Sequence, residues 1–495
     1  MNTPPSQLGR HMMDGTIRTL LAESLFPLTG LITATFLTRS LGPSGYGMFT
    51  LAATLVIWAE TIVMSFFSRP TIKFVSEADD WQPVGSTMTR LFFFASLGLA
   101  FLLWLLADFT AALLNESVLA TYLRLFAIEI PILGLSQAHC SILIGLGAFR
   151  QQALASASRW IARLLLIILL VGLGLSVPGA ILGCIGAVLV QLAIGRFYIR
   201  PPIFHSSSTF PIGRVWGYAV TLFLFAVSLQ IYSKLDLVLL KALGGTAKQA
   251  GIYAAAQNIA FIPAIFGFSF SPLLLSTLGR LQRAGEDYRA KQISRNALRA
   301  VIGLLPFAGM TAGAAPEIIG LIFGQPYLSA APLLALLIFG SVATVMLSIA
   351  TVIMISADRP RWTITLTGPL VPLAIVGHIL LIPRLGPIGA SLVTTTLAGL
   401  GAWAAVLAVY RVWRILPPLG TLWPSVLICG LAYLVAVLWP APGFLLLLKL
   451  PIIVVIIGLL FLLLGEFSDS EIALGRSMVY WRTAPRRSSR SSREL

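Results

Sequence analysis

The amino-acid sequence predicts an all-α integral membrane protein of about fourteen transmembrane helices, and three observations lead to this prediction. Of the 495 residues, 57% are apolar and only 11% are charged. The apolar residues come in runs of about 20, the length that an α-helix needs to cross roughly 30 Å of hydrocarbon. These runs are continuous and lack the period-2 alternation of a barrel strand. Since lipid offers backbone groups no hydrogen-bond partners, the runs are predicted to be helices.

Short gaps rich in glycine, proline and charge separate the apolar runs, and no gap is long enough to hold a soluble domain. The boundary between the fifth and sixth spans, at Pro178-Gly179, is among the weakest. The predicted spans are 19–39, 47–67, 91–112, 123–146, 160–176, 179–197, 215–240, 251–275, 300–323, 330–356, 362–382, 388–410, 422–439 and 444–465.

An internal repeat organises these spans. A helical hairpin at 36–52, in which Leu-Gly-Pro ends one apolar run and a glycine-rich turn starts the next, recurs at 239–254. Three weaker matches follow in the same order about two hundred residues apart. Because six spans per repeat is an even number, the two copies should run parallel. The predicted units are an N-terminal lobe (1–200), a C-terminal lobe (201–412), two extra helices (413–466) and a basic, disordered cytoplasmic tail (467–495).

The cations are distributed unevenly over the connections. With the N-terminus inside, 27 of the 34 lysine and arginine residues lie in cytoplasmic segments and seven lie outside. The positive-inside rule requires such an excess, so we expect both termini in the cytoplasm. The isoelectric point of about 10.3 therefore reflects topology and does not indicate nucleic-acid binding. The segment 276–299 is predicted to be an interfacial helix whose cations contact anionic membrane lipids.

The sequence shows no catalytic constellation. Cys140, Cys184 and Cys429 each lie within a predicted span, and the four histidines are scattered, so we predict neither a metal site nor a cofactor. A polymerase or ligase of lipid-linked sugars would need a large outward-facing catalytic loop. No predicted outer loop exceeds about 15 residues. The sequence therefore disfavours an enzyme.

Polar groups inside the spans are the candidate functional residues, because they are costly in lipid unless they face a cavity or a partner. They concentrate beside the two hairpins, where threonines and serines from Thr50 to Ser68 share one face of the second span. Other interpretations stay open: the hydroxyls could bond their own backbone, and the outermost cations could extend to the interface. The candidate substrate-binding residues are Arg39, Glu60, Arg69, Lys234, Asp236, Lys241, Gln257 and Asn258.

Three motifs, TRSLGPSGYGMFTLA, KLDLVLLKALGGTAKQAGIYAAAQNI and LLIPRLGPIGASLVTTTLA, resemble the polysaccharide biosynthesis proteins. These form the O-antigen-flippase branch of the multidrug/oligosaccharidyl-lipid/polysaccharide exporter superfamily. The resemblance implies two six-helix lobes around a central cavity. It also implies movement of an undecaprenyl-pyrophosphate-linked oligosaccharide from the inner to the outer leaflet of the bacterial cytoplasmic membrane.

That cargo agrees with the candidate residues. A pyrophosphate needs compensating cations, which Arg39, Arg69, Lys234 and Lys241 would supply. A sugar needs amide or hydroxyl partners, which Gln257, Asn258 and the threonine and serine stripe would supply. A proton or sodium ion as coupling ion, and a polysaccharide polymerase or assembly protein as partner, are compatible with this function.

Two other transport functions stay open. A multidrug or ion antiporter of the same superfamily would usually have twelve spans and a cavity dominated by carboxylates. Here two more spans are predicted, and the outer ends of the first and seventh spans are basic. A peptidoglycan-precursor flippase is a further alternative, which the turn SLGPSGYG fits less well.

Overall fold

The structure is a computed structural model that describes residues 5–201, 234–359 and 361–466, with the isolated residues 211 and 213. The described residues form helices and turns, with no β-strand among them. The predicted all-α fold class is therefore confirmed. Most of the predicted seventh span, the polar residue Gln230 and the basic tail lie outside the described residues.

The helices that precede residue 200 are called the first-half helices. They are α1 (Pro5–Glu77), α2 (Trp81–Leu105), α3 (Ala107–Leu113), α4 (Ser117–Ala127), α5 (Glu129–Gly145), α6 (Phe149–Leu170) and α7 (Ser176–Tyr198), with one π-helical turn (Val171–Leu175) between the last two.

The helices that follow residue 200 are called the second-half helices. They are α8 (234–242), α9 (Ala247–Ala260), α10 (Ile262–Arg283), α11 (Asp287–Ile302), α12 (Leu305–Gly313), α13 (Ala315–Ile322), α14 (Ala331–Ser356), α15 (Arg361–Thr367), α16 (Leu370–Leu385), α17 (Pro387–Trp413), α18 (Leu419–Leu438) and α19 (Leu446–Leu463).

Ten helices among the described residues are long and apolar enough to cross a membrane, or eleven if the pair α11–α12 and α13, bent by 68°, forms one span. Two of the ten, Pro27–Glu77 and Phe149–Tyr198, have 51 and 50 residues. At 1.5 Å per residue each is about 75 Å long, enough to cross twice. Each is also broken by a glycine with positive φ, Gly42 at 66° and Gly174 at 90°. The count of fourteen stays a prediction.

Two boundaries differ from the sequence-based expectation. The break expected at Pro178-Gly179 lies at 174–176, because a proline fits the first turn of a helix and Pro178 belongs to the start of α7. The segment 276–299 is not one interfacial helix. Gly285, with φ of 73°, divides it between the end of α10 and the start of α11.

The break expected at the first hairpin is confirmed, since Gly42 has φ 66° and ψ 177° inside α1. The second hairpin also turns where expected, at Gly244 with φ of 99°. A capping box between Thr246 and Gln249 then starts α9. We call the end of the bundle that carries these two turns the hairpin end.

One hydrophobic core at the hairpin end joins the two sets of helices. It contains first-half residues such as Leu37 and Phe49 together with second-half residues such as Leu240 and Tyr253. Toward the opposite end, the described residues form separate clusters. One is built from α1, α2 and α5 around Phe92, and the other from second-half helices only. Among the described residues, apolar packing therefore holds the halves together mainly at one end.

The helices α18 and α19 are attached to the second half at both ends. Toward the hairpin end, Lys449 on α19 is fully buried, and its Nζ lies 2.6 and 2.8 Å from the carboxylate oxygens of Glu317 on α13. Toward the opposite end, Thr421 donates a hydrogen bond of 2.6 Å to Glu466, and Arg299 donates to the carbonyl oxygen of the same residue. These contacts connect the last two helices to the bent segment α11–α13.

Candidate functional site

The two echoed hairpins pack directly against each other. A Cβ atom added at Gly47 would collide with the carbonyl oxygen of Ala247, and one added at Gly251 would collide with the carbonyl oxygen of Pro43. Only glycine allows α1 and α9 to approach this closely, as in other small-residue contacts between membrane helices. The residues that match in the repeat therefore meet in space.

Aromatic and amide side chains extend this contact. Asn258 Nδ2 donates a hydrogen bond of 2.5 Å to the hydroxyl of Tyr46, and the Tyr327 hydroxyl donates one of 3.4 Å to the carbonyl oxygen of Thr38. The rings of Tyr46 and Tyr327 stack edge to face with centroids 6.5 Å apart. Asn258, a predicted sugar ligand, is thus part of the contact between the halves in this conformation.

Arg39 crosses between the halves at the hairpin end. Its guanidinium donates hydrogen bonds of 2.5 Å to the carbonyl oxygen of Leu321 and of 3.1 Å to that of Ile322. These carbonyls belong to the last turn of α13, where backbone oxygens lack helical partners and the helix dipole favours a cation. Arg39 therefore caps a helix of the opposite half.

Lys241 forms a second charged contact between the halves. Its Nζ lies 3.2 Å from Oε1 of Glu116, which precedes α4, and its side chain is only 5% exposed. The Glu116 side chain is 29% exposed. The pair joins the end of α8 to the first half at the level of the hairpins. Arg39 is exposed but hydrogen-bonded to the opposite half, whereas Lys241 is buried in an ion pair, so neither is a solitary cation here.

Asp236 is the centre of a buried polar network. Its carboxylate accepts hydrogen bonds from Tyr253 at 2.6 Å, from Gln257 at 2.8 and 2.9 Å, and from Thr394 at 3.1 Å. Only 3% of the residue is exposed. These partners come from α9 and α17, so the network fixes the position of α8 against two other second-half helices.

Lys234 lies at the edge of this network. Its Nζ donates a hydrogen bond of 3.2 Å to Gln257 Oε1, so the Gln257 amide bridges the Lys234 ammonium and the Asp236 carboxylate. Lys234 is half-buried. Among the candidate cations it is the one whose described hydrogen bond goes to a neutral side chain. An anion could replace that partner without breaking an ion pair.

Glu60 lies apart from this network, within the first half. It is 8% exposed, and its Oε1 has no hydrogen-bond partner among the described residues. Glu129, Arg159 and Arg163 are within electrostatic range of it, and Arg159 lies 3.9 Å from Glu129. The candidate residues therefore do not form a single site. Arg69 is exposed near the end of α1 that lies opposite the hairpins.

The threonines of the polar stripe bond their own helix. Thr50 donates to the carbonyl oxygens of Tyr46 and Gly47, Thr54 to that of Thr50 at 2.7 Å, and Thr61 to that of Ile57 at 2.7 Å. Their hydroxyl hydrogens thus bond to backbone carbonyls of the same helix, as the alternative interpretation of the stripe expected. Among the described residues, no group of three or more His, Cys, Asp or Glu side chains could hold a metal ion.

Sequence reasoning did not single out Glu116, Arg159, Arg163 or Thr394. Glu116 and Arg159 are ordinary charges near predicted span ends, and only the fold shows what they contact. Thr394 belongs to the third quoted motif, so the sequence did offer a reason to consider it. It was not selected because threonines are common in membrane spans.

Two sets of helices that share a core at one end, ten of them long and apolar enough to cross a membrane among the described residues, define a multi-pass membrane protein. The family model for the polysaccharide biosynthesis proteins matches residues 12–272, more than half of the chain. The chain therefore belongs to the polysaccharide biosynthesis protein family, as the three motifs indicated.

Solved structures share this fold at low sequence identity. The lipid II flippase MurJ in an inward closed conformation superimposes with a TM-score of 0.69 at 14% identity, covering 94% of this chain and 100% of that one. An inward-facing multidrug resistance MATE family transporter of the MOP superfamily gives 0.66 at 13% identity, covering 80% and 99%. The Vibrio cholerae MATE transporter VcmN in its bent form gives 0.56 at 15% identity, covering 83% and 98%. No curated protein sequence matches the chain.

Proposed function

We propose that this protein is a flippase that moves an undecaprenyl-pyrophosphate-linked oligosaccharide from the inner to the outer leaflet of the bacterial cytoplasmic membrane. The family match supports a role in polysaccharide biosynthesis. The excess of cations in the predicted cytoplasmic segments supports an orientation with both termini inside. In that orientation the hairpin end faces outward, and this conformation is closed to the outside. The proposed role is transport rather than catalysis.

The observation that carries the proposal is the unequal packing of the two halves. They share a hydrophobic core at the hairpin end, whereas toward the opposite end the described residues of each half form separate cores. Two rigid halves joined at one end can rock about a central site, so that a cargo has access first from one side and then from the other. The prenyl chain of the cargo would stay in lipid while its head group passes between the halves.

The cations supply a path for the pyrophosphate. Arg69, exposed at the inner end, would meet the head group first, and Lys234 would bind it after the head group displaces Gln257. Arg39 and Lys241 are engaged with the opposite half while the outer end is closed. Opening would release both cations, which could then contact the head group near the outer leaflet.

Energy for the cycle would come from a coupling ion, a proton or sodium. Glu60 and Asp236 are buried carboxylates in different halves, so each could bind such an ion in one conformation. A polysaccharide polymerase or assembly protein would receive the exported unit at the outer surface.

Substitution of Lys234 tests the proposal. A charge-assisted hydrogen bond is worth about 1.5–3 kcal/mol, so losing it should weaken binding of the pyrophosphate head group roughly 10- to 150-fold. Lys234→Gln should therefore impair export of the lipid-linked glycan, and Lys234→Arg should retain much of it. The readout is surface polysaccharide in cells that contain equal membrane levels of each variant. Lys248→Gln, which neutralises an exposed lysine on α9, is the matched control.

The same cell assay and a reconstitution experiment distinguish the alternatives. For an antiporter, Glu60→Gln should be the severe lesion and Lys234→Gln a mild one. For a peptidoglycan-precursor flippase, vesicles containing the purified protein should translocate lipid II in preference to a lipid-linked glycan. If Arg39, Lys234 and Lys241 can be neutralised together without loss of export, the cationic path is wrong.

A further inference from the structure

A polar cavity of about 260 Å³ lies inside the first half, at the end opposite the hairpins. Helices α1, α5, α6 and α7 enclose it, and its lining includes Ser68, Gln137, Gln152, Arg159 and Gln191. At roughly 30 Å³ per molecule, it has room for about eight waters. Drug-sized ligands typically occupy pockets of roughly 300–1,000 Å³, so this cavity suits a smaller group.

Two amides in the cavity wall have free acceptor oxygens. Gln152 uses its amide nitrogen to donate to Ser156 at 3.1 Å, and Gln191 uses its own to contact the sulfur of Cys140 at 3.5 Å. The Oε1 atom of each glutamine has no hydrogen-bond partner among the described residues. Both residues are well buried, at 5% and 2% exposure. Buried acceptors without a donor are costly, which indicates that a donor normally occupies the cavity.

The polar groups of the wall require a ligand that both donates and accepts hydrogen bonds. Arg159, a cation in the wall, lies 3.9 Å from the carboxylate of Glu129, and its Nε has no hydrogen-bond partner among the described residues. A fully ionised phosphate has only acceptor oxygens, so it could not satisfy the two glutamine oxygens. A neutral group rich in hydroxyls can do so, because each hydroxyl both donates and accepts.

Other features of the wall also suit a sugar ring. Ser68 and Gln137 are half-buried, which puts the mouth of the cavity near the exposed Arg69 at the proposed inner end. The Trp160 side chain also lies in the wall, and the Arg159 guanidinium carbon lies 5.0 Å from its ring centroid. By contrast, the amides first expected to bind the sugar, Gln257 and Asn258, already have partners in this conformation.

We propose that this cavity is a sugar subsite that holds one neutral monosaccharide of the lipid-linked glycan while the protein is open to the inside. The inference rests on the proposed flippase function and deepens it, since it separates recognition of the sugar from recognition of the pyrophosphate. Gln152 and Gln191 accept hydrogen bonds from sugar hydroxyls, and the head group remains near the cations between the halves.

Binding measurements on the purified protein in lipid nanodiscs test this subsite. The two probes are bare undecaprenyl pyrophosphate and undecaprenyl pyrophosphate that carries one hexose or N-acetylhexosamine, compared over a small panel of sugars. The wild-type protein should bind at least one glycosylated probe more tightly than the bare lipid. Gln152→Leu combined with Gln191→Leu should reduce that preference roughly 10- to 100-fold, because two hydrogen bonds are lost. Affinity for the bare lipid should not change.

Three controls keep the outcome interpretable. Gln151→Leu changes the neighbouring glutamine, which is not in the cavity wall, and should leave the preference intact. Each leucine variant is also measured alone, so that a double variant that fails to fold does not end the test. Lys234→Gln should weaken binding of both probes equally, since the lost ammonium group contacts the pyrophosphate that both probes share.

The subsite is wrong if the wild-type protein binds all glycosylated probes and the bare lipid equally, which is the result expected of a cavity that holds only water. It is also wrong if the leucine variants keep the full preference. If the wild-type protein binds neither kind of lipid, the proposed flippase function itself fails. The two failures are therefore distinguishable.

Discussion

Replacing Lys241 by methionine removes the ammonium group that joins α8 to Glu116 while keeping most of the apolar stem. The two charged groups lie 3.2 Å apart, and the lysine side chain is 5% exposed. In this conformation the pair connects the halves at the hairpin end. Once the halves separate there, both groups can be hydrated, so the pair stabilises the closed form relative to the open one.

The expected size of the effect follows from the geometry. A charge-assisted hydrogen bond contributes about 1.5–3 kcal/mol, and the partial exposure of Glu116 argues for the lower part of that range. The ratio of open to closed molecules should therefore rise roughly 10-fold, and at most about 150-fold. Glu116→Gln should shift the ratio in the same direction. The double variant should add little to either single variant, because both remove the same interaction.

Spin labels at Ser44 and Thr246 provide the assay, since both residues are exposed and lie on opposite hairpins. Distance distributions from double electron–electron resonance report the closed population directly. Every variant is measured in one background that carries both labels and lacks Cys140, Cys184 and Cys429. The loss of the Thr246 helix cap is thus common to all samples.

Lys248→Met is the matched control, since it removes an exposed cation from the same hairpin and should leave the distances unchanged. The reasoning fails if Lys241→Met gives the same distance distribution as the parent while the protein remains folded. It also fails if the effects of Lys241→Met and Glu116→Gln simply add.

Two further predictions concern packing. Gly47→Ala or Gly251→Ala would place a methyl group against a backbone carbonyl oxygen of the other half, so each should disfavour closure and lower glycan export. Gly30→Ala, whose added methyl group meets no described residue within 4 Å, should leave export unchanged. Equal export by all three variants would refute the close-contact argument. Lys449→Met should destabilise the protein by about 3–5 kcal/mol, because it leaves the Glu317 carboxylate without its buried partner. Thermal unfolding in detergent measures this loss of stability. Combining Lys449→Met with Glu317→Gln should recover part of the lost stability. An unchanged melting temperature in Lys449→Met alone would contradict the structural role of the ion pair.

Several features of the fold could be read from the sequence because they depend on local chemistry. The apolar runs define the membrane helices, since length and hydropathy alone decide whether a helix suits lipid. The breaks at Gly42 and Gly244 were expected because only glycine readily adopts the positive φ that these positions need. The echo of one hairpin in the other, through Gly47 and Gly251, indicated a repeat before any contact was known.

Other features depended on partners far away in the chain. The sequence marks Arg39 as a cation at a helix end, but its acceptors, the carbonyls of Leu321 and Ile322, lie more than 280 residues away. A hydropathy profile cannot show whether such a cation also caps a distant helix. Composition therefore decided where the cations occur, and only packing decided which groups they contact.

The sequence by itself determined the class of protein, the family and the set of polar residues that need an explanation. The tertiary structure decided which of these polar residues contact one another. It joins Lys234 to Asp236 through Gln257, engages Lys241 between the halves and leaves Glu60 in a separate charged cluster. The physical reason is that burial in lipid is a property of each segment, whereas pairing of charges depends on which segments folding brings together.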